Sequence, residues 1–120
     1  MKILAIEKEI PNVDSEMYIP HLKPEASKVW ELYQAGVIRE VYFREDRSDA
    51  VLILECADTD EAQILLRSLP LVKEGLITFE LIPLKPYSGF SRLFDKNCES
   101  MTMSSAHLKY NRTRSVTENR

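Results

Sequence analysis

Hydrophobic and polar positions change period several times along the chain, and each change marks an element. Residues 2–8, KILAIEK, alternate and predict a first strand. The stretch PNVDSEMYIP, bounded by Pro11 and Pro20, reads as a loop. From about 21 to 35 the period becomes helical: Ala26, Val29, Trp30 and Tyr33 fall at i, i+3, i+4 and i+7. This stripe puts Trp30 in the core. Pro24 fits the first turn, and Gly36 stands where a left-handed C-terminal cap belongs.

VIREVYFR (37–44) is β-branched and aromatic and predicts a second strand, followed by a polar turn, EDRSD. AVLILEC (50–56) is nearly continuous in apolar residues and predicts a third. A second helix is signalled by Asp58 as N-cap with Glu61 three residues on. It continues through Ala62, Leu65, Leu66 and Leu69 and stops at Pro70. After a linker with Gly75, LITFELIPL (76–84) predicts the last strand. The order β-α-β-β-α-β is that of a ferredoxin-like α+β fold: a four-stranded antiparallel sheet, both helices on one face, strand order 4-1-3-2. Residues 1–94 are expected to form the domain, with Phe90, Leu93 and Phe94 anchoring an extension. Residues 95–120 are polar and are expected to form a disordered tail, because they bury too little to offset ordering entropy.

Alternation assigns faces. Ile77, Phe79 and Leu81, with Leu52, Leu54 and Cys56, belong under the helices, and so, in the first strand, do Leu4 and Ile6. Ile3, Ala5, Val51, Ile53 and Ile82 then lie on the open face beside Glu7, Glu40, Tyr42, Arg44, Glu55, Thr78 and Glu80, with Ile38. So large an apolar patch predicts a partner surface, and two such sheets face to face would enclose a cavity with a few polar groups.

Composition narrows the chemistry. A net charge of −3 argues against nucleic acid as a partner. The apolar runs are far shorter than the ~18 residues of a membrane span, and MKILAIEKEI reads as a strand and not a secretory signal. Cys56 and Cys98 are too few for a disulfide framework, and a reducing cytoplasmic location is the expectation. Cys56 reads as an inert core thiol. No pair of His or Cys has metal spacing, and no phosphate loop exists.

The passages LYQAG, VIREVYFRED, AVLILECADTDEAQ and above all LPLVKEGLITFELIPLKPY resemble the muconolactone isomerase-like family of the dimeric α+β barrel superfamily, over about residues 1–94. The resemblance implies a homodimer or larger ring, no metal or organic cofactor, and a proton transfer that shifts a double bond in a small unsaturated lactone or carboxylic acid. Its motifs are structural, so no catalytic assignment carries over residue by residue. The superfamily also implies two alternatives: a non-catalytic binding or assembly module, and a cofactor-less monooxygenase.

From the residues themselves, Glu55 and Glu80 are the proton-transfer candidates, with His21 at the mouth of the cavity. Tyr42, Arg44 and Glu7 are the candidate binding groups, Arg44 by its planar fork. The competing reading of these carboxylates is structural ion pairing with Arg39, Arg44 or a lysine.

Overall fold

A computed structural model describes residues 1–94; the expected tail, 95–120, lies outside the described residues. Four strands form one antiparallel sheet: β1 (Lys2–Glu9), β2 (Ile38–Phe43), β3 (Ala50–Glu55) and β4 (Ile77–Leu84), in the order β2-β3-β1-β4. This is the expected 4-1-3-2 order read from the other edge, and the fold is the predicted α+β one. Helix α1 (Leu22–Gln34) connects β1 to β2, while α2 (Thr59–Leu66) and α3 (Pro70–Lys73) connect β3 to β4. Met1–Lys85 form one compact unit, and the described residues from 86 to 94 belong to a second. Within the second unit, Tyr87 and Phe90 meet edge to face, and a 3-10 turn spans Gly89–Leu93.

The punctuation residues act as their chemistry dictates. The Asp58 carboxylate accepts from the Glu61 N–H at 2.8 Å and starts α2. Gly36 (φ 81°) and Gly75 (φ 74°) take the left-handed conformation after α1 and α3. In each case the glycine N–H and the next N–H return to carbonyls of the last turn, Tyr33 and Leu32 or Val72 and Leu71. Pro70 differs from expectation: α2 has already ended at Leu66, and Pro70 opens α3 at its first position, where its missing N–H costs nothing. The expected loop before α1 is partly a 3-10 helix, Ser15–His21, capped by Asp14.

All three helices cover one face of the sheet, and the core there joins Leu32, Ala62, Leu66 and Leu69 to Ile3, Ala5, Ile38, Leu52 and Leu54. The faces of β3 and β4 are as predicted, but that of β1 is reversed. Residues directly opposite in a ladder share a face, and Ile3 pairs with Leu54, Ala5 with Leu52 and Leu81, Glu7 with Phe79. Ile3, Ala5 and Glu7 therefore lie under the helices, and Leu4 and Ile6 on the open face. β1 carries apolar residues at both parities, so its own pattern does not choose a side; the register does.

β2 is also corrected. A bulge between Ile38 and Glu40 leaves Arg39 without a ladder partner. Ile38 swings into the core, 1% exposed, while Glu40 and Tyr42 stay outward opposite Ile53 and Val51.

Candidate functional site

The register that buries Glu7 also places it in a cavity. Between α1, the 3-10 helix and the helix-side face of the sheet lies a half-open hollow of about 960 Å³. That is at the upper end of the range for small-molecule sites, ~300–1,000 Å³. Its walls are mostly apolar and aromatic: Tyr18, Val29, Trp30 and Tyr33 from the helical side, Phe43 and Phe79 from the sheet. Trp30 is thus not the core residue its position in the helical stripe suggests. It is 58% exposed and stacks on Tyr33, ring centroids 5.8 Å apart, at the cavity wall.

Two carboxylates reach the cavity. Glu7, 9% exposed, accepts from the Ala50 N–H at 2.8 Å. Glu25, in the first turn of α1, accepts from the Leu71 N–H at 2.9 Å. Neither forms an ion pair with another described residue within 4 Å. Burial pushes the Glu7 carboxyl above its ordinary value; the Ala50 N–H opposes this, and the negative charges of Asp49, Glu25 and Glu9 reinforce it. Burial likewise raises Glu25, against the Leu71 N–H and the His21 ring. The Tyr18 phenol, also in the wall, is raised by burial and then by the field of Glu7, Glu9 and Asp49, so it stays a hydrogen-bond donor.

Among the six residues singled out from the sequence, Glu7 and Tyr42 line this cavity. Glu7 does so from the helix side, not from the open face. The Tyr42 hydroxyl donates to Glu40 Oε1 at 2.5 Å on exposed β2. Glu80 is on the open face and pairs with Lys8 at 3.2 Å. Glu55 accepts from the Met1 α-amino group at 2.6 Å, and that bond holds its carboxyl below the ordinary range. Arg44 makes a two-bond contact with Asp46 in the turn after β2. His21 is half-buried at the N-cap of α1, four residues before Glu25. None of these last four lines the cavity.

Sequence reasoning missed Glu25. Its signal was present: Glu25, Val29 and Leu32 stand at i, i+4 and i+7, so an acid occupies the inward stripe of α1. Cys56 is buried at the end of β3, and burial raises its thiol, as expected of an inert core residue. Among the described residues no group of three His, Cys, Asp or Glu is placed to hold a metal, and no helix is long and apolar enough to cross a membrane.

No protein-family model and no curated protein sequence matches the chain. Solved structures do match. A 5-chloro-2-hydroxyhydroquinone dehydrochlorinase from Burkholderia phenoliruptrix, in complex with 2,5-dihydroxybenzoquinone, is 18% identical with a TM-score of 0.59, covering 74% of this chain and 98% of that one. Muconolactone isomerase is 14% identical with a TM-score of 0.61, covering 73% of this chain and 92% of that one. At such identities the likeness is one of fold, and at that level it agrees with the resemblance drawn from the sequence: this chain has the α+β fold of muconolactone isomerase.

Proposed function

We propose that the chain is a small cofactor-independent enzyme that moves a proton within an unsaturated ring compound, a lactone or related enolisable carbonyl, held between α1 and the sheet. The observation that carries this reading is the pair Glu7 and Glu25: two carboxylates with no cationic partner among the described residues, facing one apolar cavity. Burial makes each a better base than an exposed glutamate and keeps protonation accessible, as a proton shuttle requires.

In the proposed reaction one ionised carboxylate takes a proton from the carbon next to the ring carbonyl. The Tyr18 hydroxyl donates to the enolate oxygen that forms. The other carboxyl, protonated, returns a proton at the far end of the conjugated system. The double bond shifts and the composition of the substrate is unchanged. Each glutamate spends one acceptor position on a backbone N–H, which fixes its orientation and leaves the rest of the group free.

The test is isomerisation of a β,γ-unsaturated butenolide in deuterated buffer, followed by ultraviolet absorbance and by deuterium uptake. Glu7→Gln and Glu25→Gln should each lower the rate by about 100-fold or more, the usual weight of a general acid or base, with folding intact. Unchanged rates in both variants would remove the reading. The same two bonds favour a second one: Glu7 ties β1 to β3 and Glu25 ties α1 to α3, as a non-catalytic binding module would use them. It predicts ligand binding without deuterium uptake.

Self-association completes the proposal. Leu4, Ile6, Val51, Ile53 and Ile82 are only half-buried on the open face, side by side in the ladders. A second copy of this face would cover them, as the resemblance implies.

A further inference from the structure

The charge inside the cavity is one-sided. Glu7 and Glu25 reach the cavity from the helix side, Glu40 borders it from the outward parity of edge strand β2, and among the described residues the one cationic residue lining it is Arg39. Arg39 keeps its charge but is tied to the end of α1: its Nε donates to the Gly36 carbonyl at 2.6 Å, and its field lowers the Glu55 carboxyl. Arg47, in the turn between β2 and β3, pairs with Glu9 at 3.6 Å and with Asp49 at 2.5 Å. The contact with Asp49 is an ion pair only, since its angle leaves Asp49 Oδ2 without a hydrogen bond. Aromatic faces surround this negative interior, with Trp30, Tyr33 and Phe43 at the exposed side.

A carboxylate ligand entering such a site meets like charges in a medium that screens them poorly. A cation meets the carboxyl groups of Glu7 and Glu25, neither ion-paired among the described residues, and the electron-rich faces of aromatic rings. On the reading that this cavity is the ligand site, we propose that it selects for positive charge: its preferred ligand is a ring-sized organic cation, a protonated amine carried on an aromatic or alicyclic body. An anionic carboxylic acid is rejected, which narrows the substrate classes implied by the sequence.

The experiment uses the full chain and three probes of one size and three charges: benzylammonium, benzyl alcohol and benzoate. Trp30 is the sole tryptophan and lines the cavity, so its fluorescence reports binding. Affinity should fall in that order, by more than about tenfold from first to last. Glu25→Gln, whose amide oxygen still accepts from Leu71, should compress the difference, as should Glu7→Gln, while Glu31→Gln on the exposed side of α1 should preserve it. Benzoate binding as tightly as benzylammonium, or an order unmoved in both cavity variants, overturns the charge selectivity and leaves the cavity standing as a ligand site. No response of Trp30 to any probe overturns both. Deuterium uptake bears on proton transfer alone and does not move this ordering.

Discussion

Glu7 combines two properties that oppose each other, burial and charge. Its folded-state pKa lies above its ordinary value of 4.5 because burial disfavours the ionised form. The sign follows from linkage. A group raised on folding contributes stability that is fully present below its unfolded pKa and is lost as pH rises through the folded one. Glu7→Gln keeps an acceptor for the Ala50 N–H and removes that loss. It should raise the melting temperature at neutral pH. The gain should shrink toward zero below about pH 4.5, measured by thermal denaturation across a pH series. Glu7 was visible in the sequence as an unusual acid in a strand, but its side of the sheet was not, because Ile3 and Ala5 compete with Leu4 and Ile6 for the interior. Glu25 was hidden differently: helix α1 carries an exposed acid as well, Glu31, and only the bond to α3 separates Glu25 from it.

The elements of this fold were legible where one residue type has one physical use. Asp58 and Gly36 cap helices through the side chain of one and the left-handed backbone of the other, and no tertiary context is needed to see it, whereas Gly75, read as a linker residue, follows a short helix the pattern did not show. Asp58→Ala should therefore cost about 1 kcal/mol, seen as a lowered midpoint in urea with an unchanged slope. What was not legible depends on partners. The bulge at Arg39 has no signature in VIREVYFR, because an extra residue in a strand shows only against the strand opposite. Trp30 follows the helical stripe correctly, yet the stripe faces a cavity before it faces the core, and periodicity cannot tell a packed wall from a hollow one.

At the scale of the whole molecule, the sheet is covered on one face by helices and carries a row of half-buried aliphatic residues on the other. If a second copy covers that row, Ile53→Lys, which places a charge at its centre, should dissociate the assembly. Sedimentation velocity at micromolar concentration should then show a monomer where the parent chain shows a dimer or larger, and a parent that is itself monomeric would count against the proposal. The cavity lies on the opposite side of the sheet, so ligand binding should survive the substitution.

Among the described residues the strand order leaves β2 and β4 as the two edges of the sheet, the positions where a foreign strand could pair. β4 carries Pro83, which has no N–H to donate to a ladder. β2 has no proline and exposes Val41, Tyr42 and Phe43 in a run. Its protection is the bulge: the extra residue at Arg39 twists the strand and sets a long charged side chain on the rim. The irregularity that sends Ile38 into the core thereby also sets a charge and a break in register on an edge strand, a combination that disfavours edge-to-edge pairing.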